Sequence, residues 1–173
     1  MTLTEAHKLD DKSGRSVGDM RTANKCFEVY ANFNRTNRSN QIKAKYYKAY
    51  YITKGLDDLK VSKEEKDKIA AELFKEVADD EVNEIPEAKL KYGDCLYNGK
   101  GVKQNFLEAL KYFELAAKSD LKIAMYNTGR LYYSGCNGLI DKDEKKAIKY
   151  MKLAIYHEYD PAMQFCKDHN IEL

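Results

Sequence analysis

Hydrophobic side chains recur along most of the chain at intervals of three and four residues, the spacing that puts them on one face of an α-helix. One such stripe consists of Ala88, Tyr92, Cys95 and Leu96, at i, i+4, i+7 and i+8. Segments with this period are separated by short stretches rich in glycine, asparagine and charged residues. The pattern therefore predicts an all-α protein of about eight helices.

The helical pattern is itself repeated. The segment AKLKYGDCLYNG begins at Ala88 and returns as AMYNTGRLYYSG at Ala124, 36 residues later. Downstream, ALKYFELAAK from Ala109 returns as AIKYMKLAIY from Ala147, after 38 residues. A period of about 20–50 residues is typical of repeat architectures. We interpret each copy as two helices, with the two extra residues of the second copy in the turn between them.

The turn within each pair has its own signals. Gly99 and Gly135 fit the position just after a helix, where a positive φ favours glycine, and Gly101 belongs to the same turn. Asn105 and Glu108 have the spacing of a capping box that starts the second helix. Both copies therefore predict a helix, a glycine turn and a second helix.

Glycines at this spacing also raise the question of a nucleotide-binding loop. Gly93 and the pair Gly99–Lys100 come close to the pattern G-x-x-x-x-G-K-[ST], but the glycines are one residue too far apart. No Ser or Thr follows the lysine, no strand pattern precedes it, and Lys100 becomes Cys136 in the second copy. We therefore predict no phosphate site. Gly93 and Gly129, costly inside helices, are predicted to permit close contact with the paired helix.

These motifs resemble the Sel1-like repeat (SLR), a relative of the tetratricopeptide repeat. The resemblance lies in the order A-x4-G-x5-G-x-G-V, then Asn or Asp, then A-x2-Y-F/M-x2-A-A, and covers Ala88–Asp120 and Ala124–Asp160. Asp120 and Glu158 stand where the family usually has glycine. The resemblance implies an α-solenoid of stacked antiparallel helix pairs, wound into a right-handed superhelix.

The same frame can be extended in both directions. AKYYKAYYITKG, residues 44–55, matches the first helix of a repeat, and IAAELFKEVADD, residues 69–80, matches the second. Asp160–Pro161 has the N-cap and first-turn proline of a last helix. We therefore predict a flexible tail (1–18), a half unit (19–35), a degenerate repeat (40–80), two repeats (86–120 and 121–160) and a capping helix (161–173).

Composition narrows the classes of partner. Thirty basic and 28 acidic side chains give a net charge of +2, so no overall field attracts nucleic acid or anionic lipid. KAKYYKAYY, from Lys43, has rings that could stack on bases, but its lysines do not form one stripe. No apolar run approaches the roughly 18 residues of a membrane span. We expect neither nucleic acid nor membrane as a partner.

The cysteines and the first residues indicate the compartment. The four cysteines lie 69, 41 and 30 residues apart, with no C-x-x-C and no Cys/His cluster of zinc-site spacing. No apolar signal segment opens the chain. We expect reduced thiols in a cytoplasmic protein with no metal and no cofactor, although an even number of cysteines leaves two disulfides as the alternative.

The resemblance also implies where a partner would bind. In tetratricopeptide relatives, unit positions 3, 7 and 10 point into a concave groove, and here most of these are tyrosines, which are common at binding hot spots. We expect a non-catalytic adaptor or scaffold that binds a protein or peptide there in kinase-linked signalling, with a protein kinase in cis or in trans as the partner. For each ring the alternative is packing between units. The predicted partner-binding residues are Tyr46, Tyr50, Leu90, Asp94, Tyr97, Tyr126, Arg130 and Tyr133.

Two other functions stay open at this point. Cys166 and His169 are three residues apart and would share a helix face, so a small-ligand-binding protein or hydrolytic enzyme could use that end or the groove. The incomplete half unit could instead make the array self-associate as a structural module. His157, at a helix end, is a second imidazole that could pair with the Cys166 thiol, but no third orienting group is evident, and His7 lies in the predicted tail.

Overall fold

A computed structural model describes residues 2, 4–6, 8, 14, 16–32, 37–136 and 138–173. In these ranges the chain forms eight helices of nine or more residues, as predicted, and the one strand-like pairing is a bridge between Cys136 and Ile140. Much of the predicted tail, His7 included, and the end of the predicted half unit lie outside the described residues. The helices are α1 (Val17–Asn32), α2 (Arg38–Thr53), α3 (Lys63–Ala78), α4 (Pro86–Asn98), α5 (Phe106–Ala117), α6 (Lys122–Ser134), α7 (Glu144–Tyr156) and α8 (Asp160–Asp168).

The helices divide between two compact units. The first unit comprises Met1–Ala88 with Lys100–Val102, and the second comprises Lys89–Gly99 with Lys103–Leu173. In the first unit α2 packs against both α1 and α3, and in the second α6 packs against both α5 and α7. Each unit thus buries the apolar stripe of one helix between two neighbours, because a single amphipathic helix cannot bury its own stripe.

Aromatic rings and alanines build the core of the first unit. Phe27 of α1 stacks on Tyr47 of α2, with 4.6 Å between ring centroids, and its ring also lies beside Tyr51. Ala6 is fully buried in the same cluster and residues 4–6 are helical. These residues fall within the segment that the sequence predicted to be a flexible tail, so part of it contributes to the core instead.

A buried carboxylate connects the start of α2 with the loop after α3. Asp80 Oδ2 accepts hydrogen bonds from Arg38 Nε (3.1 Å) and Arg38 Nη2 (2.8 Å), while Asp80 Oδ1 accepts from the backbone N–H groups of Val82 and Asn83 and from Asn83 Nδ2. Burial alone would raise the pKa of Asp80, but the bonds from Asn83 and Arg38 hold it below its usual value. The loop is therefore fixed by an ionised side chain.

In the second unit the repeated positions hold the helices close together. Ala109 of α5 and Ala147 of α7, equivalent in the two repeats, are fully buried, as are the core side chains Phe113 (2% exposed) and Met151 (0%) that follow them. A β-carbon on the mid-helix Gly93 would lie 2.7 Å from Phe113 Cε1. The pairing of a small residue with a ring thus sets the distance between α4 and α5.

The two repeats keep the same turns and caps. Gly99, Gly101 and Gly135 have φ of 67°, 71° and 65°, the left-handed region that favours glycine. The Asn105 side chain accepts a hydrogen bond from Glu108 N at 3.1 Å. The backbone N–H of Asn105 donates instead to the carbonyl oxygen of Leu96. Glu108 Oε2 therefore accepts from Asn105 Nδ2 and not from the backbone N–H of Asn105.

The two positions that lack the family's usual glycine keep the glycine-like conformation. Asp120 and Glu158 have φ of 59° and 57°. A left-handed conformation costs about 1–2 kcal/mol for a residue with a β-carbon, so each repeat ends in a mildly strained residue. At the first of these ends, His157 Nε2 lies 3.7 Å from Asp120 Oδ1.

Candidate functional site

The predicted partner-binding residues of the first unit, Tyr46 and Tyr50, are half-buried on α2. The Tyr46 ring packs edge-on against Tyr47, with 5.3 Å between centroids. Tyr50 packs edge-on against Tyr51, and Lys54 Nζ lies 5.4 Å from the centroid of the Tyr50 ring. Both rings therefore contribute to packing within the unit and keep part of their surface accessible.

Three of the predicted residues surround one pocket in the second unit. Asp94 and Tyr97 of α4 and Arg130 of α6 line a pocket of about 330 Å³, which we call the α4–α6 pocket. Phe106 and Phe113 of α5 supply apolar wall. The first helices of two consecutive repeats, α4 and α6, thus both line the pocket, and α5, which lies between them in the chain, lines it as well.

Asp94 is the carboxylate of this pocket. Its carboxylate is half-buried, and its hydrogen bond within the described residues is a long one, 3.4 Å, from Asn127 Nδ2 to Asp94 Oδ1. Burial raises the pKa of Asp94 to about 6, against a smaller lowering by Lys91. An ionised carboxylate that water and donors stabilise poorly is typical of functional sites.

Arg130 occupies the equivalent position in the next repeat, 36 residues after Asp94. Its side chain is exposed, and Arg130 Cζ lies 5.5 Å from the centroid of the Tyr126 ring. No ion pair joins Arg130 to Asp94 among the residues that the structure describes. The two opposite charges therefore line one pocket without neutralising each other.

Three predicted residues prove to be packed by the rest of the fold. Leu90 is 6% exposed, so it belongs to the core and offers a partner no contact area. Tyr126 and Tyr133 of α6 are half-buried because the Phe165 ring of α8 lies 6.0 Å and 5.4 Å from their ring centroids. The last helix, predicted only as a polar cap, thus covers much of this tyrosine surface.

The pocket also contains polar side chains that were not among the predicted partner contacts. Asn98 lies one helical turn after Asp94, and Asn127 lies one turn before Arg130. The thiol-bearing Cys136, which replaces the lysine of the first repeat, lies at the edge of the pocket. Both asparagines lie three or four residues from a predicted contact, on the same helix face, and this spacing could have identified them from the sequence.

The Cys166/His169 end does not have the geometry of a catalytic pair. Cys166 is 2% exposed, and burial raises the pKa of its thiol, which lowers the fraction of the reactive thiolate at neutral pH. The His169 ring stacks on Phe165 with 4.0 Å between centroids, and its Nδ1 lies 2.9 Å from the Phe165 carbonyl oxygen. The imidazole is thus directed to its own helix.

Among the described residues no group of three or more His, Cys, Asp or Glu side chains is placed to hold a metal ion. None of the helices in the described ranges is both long and apolar enough to cross a bilayer.

Comparison with known proteins shows what the repeated hairpins are similar to. Residues 86–121 and 122–159 each match the family model described as Sel1 repeat. This part of the chain is thus similar to two consecutive Sel1 repeats. A search of curated protein sequences found no match.

Solved structures extend the likeness of fold beyond the two Sel1 repeats. A Sel1 repeat protein from Oxalobacter formigenes has a TM-score of 0.64 and 22% identity, over 84% of this chain and 56% of that one. A protective antigen of uropathogenic Escherichia coli that displays an SLR fold has a TM-score of 0.58 and 18% identity, over 92% of this chain and 38% of that one. The chain thus spans less than two thirds of either relative. These similarities confirm the predicted fold class, all-α and of the α-solenoid type.

Proposed function

We propose that this chain is a non-catalytic protein-interaction module that holds a partner protein or peptide at the α4–α6 pocket. The observation that carries the proposal is that Asp94, Tyr97 and Arg130, all predicted as partner contacts, line the same pocket. Asp94 and Tyr97 are partly accessible there, and Arg130 is exposed. Sel1 repeat proteins generally mediate protein–protein interaction, which agrees with a site made of rings and opposite charges.

The chemistry of the pocket supports binding of a chain segment. Tyr97 and Phe106 meet edge-on with 5.4 Å between centroids, so their outer faces offer rigid apolar area with little entropy to lose. Charged groups beside such rings give direction and selectivity to an interface. The partner class implied by the resemblance is a protein kinase, in the same polypeptide or as a separate chain, in a cytoplasmic signalling complex.

The experiment compares partner capture by three forms of the chain. The wild type, the double variant Tyr97→Ala/Arg130→Ala and a matched control, Tyr156→Ala/Lys149→Ala, would be immobilised and exposed to a cytosolic extract. Tyr156 is 83% exposed and Lys149 is exposed on α7, so the control also removes one ring and one cation. Quantitative mass spectrometry measures the proteins retained by each form.

We expect proteins retained by the wild type and the control to be lost from the pocket variant, while circular dichroism shows unchanged helicity. Equal retention by all three forms would move the binding site away from the α4–α6 pocket. Loss from both variants alike would indicate non-specific adhesion rather than a site.

A further inference from the structure

The α4–α6 pocket offers hydrogen-bond acceptors around its carboxylate. Asn127 uses Nδ2 on Asp94 Oδ1, and Asn98 uses Nδ2 on the Asp94 carbonyl oxygen at 2.8 Å. Each amide thus uses one of its two N–H groups on Asp94, and the two amide oxygens stay available as acceptors for a ligand. Together with Asp94 Oδ2 they form a set of acceptors, which a group rich in donors would satisfy.

The wall beside these acceptors is aromatic. Tyr97 and Phe106 line the same pocket, and a cation placed against the face of such a ring is attracted by its quadrupole. A guanidinium group is planar, always charged and carries five donors, so it can bond to a carboxylate and lie on a ring at once. An ammonium group has a single charged centre with three donors and fits several separated acceptors less well.

We propose that the α4–α6 pocket receives an arginine side chain of the bound partner segment, with the guanidinium at Asp94 and against the rings of Tyr97 and Phe106. This inference rests on the proposed function, since the arginine belongs to a bound protein segment. The charge of Asp94 selects the cation. Arg130 also lines the pocket, but its guanidinium lies over the Tyr126 ring and, in the part of the chain that the structure describes, makes no ion pair with Asp94. Its positive charge selects against a second cation beside the first.

The ionisation of Asp94 gives the proposal a characteristic pH dependence. The titratable or charged groups near its carboxyl are Lys91 and Tyr97 of α4, Arg130 of α6 and Cys136 after α6, while α5 contributes only phenylalanine rings. With a pKa of about 6, Asp94 is mostly protonated at pH 5 and mostly ionised at pH 7. Affinity for a guanidinium should therefore rise by about tenfold between these pH values.

Nuclear magnetic resonance of the ¹⁵N-labelled chain can test the pocket with defined probes. The first probe is the capped tripeptide acetyl-Gly-Arg-Gly-amide, and the second replaces arginine by citrulline, which has the same shape without the charge. We expect saturable shifts at Asp94, Asn98 and Asn127 with the arginine peptide, and about tenfold weaker binding of the citrulline peptide. Asp94→Asn should reduce the affinity for arginine to the citrulline level and remove the pH dependence.

The control variant is Asp141→Asn, which removes an exposed carboxylate of the same unit and should leave all shifts unchanged. Equal binding of arginine and citrulline peptides, unchanged affinity in Asp94→Asn, or no saturable shifts at these residues would overturn the proposal. A lysine peptide that binds as well as the arginine peptide would overturn the assignment of a guanidinium. Tighter binding of free arginine than of the capped peptide would make this a small-molecule site instead.

Selection from a random peptide display library separates this inference from the proposed function. Enrichment of arginine-containing peptides that bind the wild type but not Asp94→Asn supports both. Enrichment of peptides without arginine that fail on Tyr97→Ala/Arg130→Ala retains the protein-binding function and overturns the arginine inference. If no peptide is enriched on the wild type over that double variant, the proposed function itself fails.

Discussion

The ring of Phe113 lies directly against the backbone of α4 at Gly93, where a β-carbon would be 2.7 Å from Cε1 and 2.8 Å from Cδ1. Phe113 is 2% exposed, so the ring has little room to move away. The glycine is thus required by its neighbour on the paired helix and not by its own backbone conformation. The sequence predicted such close contact from two mid-helix glycines alone.

Replacing this glycine should destabilise the second unit. Gly93→Ala gains about 1 kcal/mol of helix propensity but forces a methyl group into a filled core, which typically costs about 1–3 kcal/mol. We expect a net loss in the free energy of unfolding, measured by urea titration. Phe113→Leu made together with Gly93→Ala should recover part of it, and a more stable Gly93→Ala alone would contradict the packing argument.

The equivalent glycine of the second repeat is a matched comparison. Near Gly129 the first atom that a β-carbon would meet is Met151 Cε at 3.1 Å, the flexible end of a side chain, followed by the carbonyl oxygen of Ala147 at 3.3 Å. Methionine adapts easily to such a change. Gly129→Ala should therefore change stability less than Gly93→Ala does.

Substitutions at two glycines of the first unit can distinguish the cost of backbone strain from the cost of a steric clash. Gly55 and Gly101 have similar φ of 67° and 71°, but no atom lies within 4 Å of a β-carbon on Gly55, whereas the carbonyl oxygen of Asp67 would be 2.1 Å from one on Gly101. Gly55→Ala should cost about 1 kcal/mol of strain. Gly101→Ala should lower the melting temperature clearly more than Gly55→Ala does. Equal falls in melting temperature for the two variants would argue against a close backbone approach at Gly101.

The N-cap of α5 can be tested with an isosteric pair. Asn105→Ala removes the acceptor for Glu108 N and should lower the free energy of unfolding by about 1 kcal/mol. Asn105→Asp keeps an acceptor at this position and adds negative charge at a helix N-terminus, so it should be close to neutral. Denaturant titration of both variants measures the difference, and an alanine variant as stable as the wild type would remove the capping role.

Asp94 should make the folded chain less stable as the pH rises. Its folded-state pKa of about 6 lies above the usual 3.8, so the folded state binds the proton more tightly than the unfolded state does. This contribution is fully present below about pH 4 and is lost as the pH rises through about 6. Asp94→Asn should therefore match the wild type at pH 4 and exceed it at pH 7 by about 1–3 kcal/mol.

Thermal unfolding across this range of pH measures the effect. A constant difference between Asp94→Asn and the wild type at every pH would show that the carboxyl does not titrate as stated. If Asp94→Asn gains stability and loses arginine binding, Asp94 is a residue that destabilises the fold but is needed for recognition.

The two partners of the Arg38–Asp80 pair should differ in their effect on stability. Asp80→Ala removes an acceptor that is 2% exposed and leaves the backbone donors of Val82 and Asn83 without it, a loss of about 2–4 kcal/mol. Arg38 is 72% exposed and Asp80 keeps its loop donors without it, so Arg38→Ala should cost less than about 1 kcal/mol.

The pH dependence of this pair has the opposite sign to that of Asp94. The pKa of Asp80 is lowered in the folded state, so its contribution is present above the unfolded-state pKa and is lost as the pH falls through the folded-state value. Asp80→Ala should therefore flatten the acid limb of the stability curve. A variant with an unchanged acid limb would show that the carboxylate is not held ionised.

The repeated positions made most of the fold predictable. Alanines, glycines and aromatic residues recur at matched positions of the repeats, as Ala109 and Ala147 do. Such recurrence indicates the helical periodicity and the turns, because both depend on residues close together in the sequence. The caps followed from side chains three residues apart, as at Asn105 and Glu108. The predicted boundaries of the units, the self-association of the half unit and the kinase partner stay predictions.

The site was less predictable because it depends on how distant helices dock. Phe165 of α8 packs against Tyr126 and Tyr133, and Leu90 is buried. Both facts depend on the distances between helices, which no local sequence pattern predicts. The pKa of Asp94 likewise depends on its burial, in a pocket that residues of α5 and α6 also line. Unit positions taken from related repeats do not distinguish a covered ring from an open one.

Asp94 and Arg130 stand at one and the same place in successive copies of the hairpin, yet their charges are opposite. The residues that keep the hairpins together lie elsewhere, at the buried alanines and at the glycines that let helices approach. If the proposed site is right, exchanging a single residue per copy changes a contact while the framework is preserved, so a duplicated hairpin gives evolution a series of independently adjustable positions.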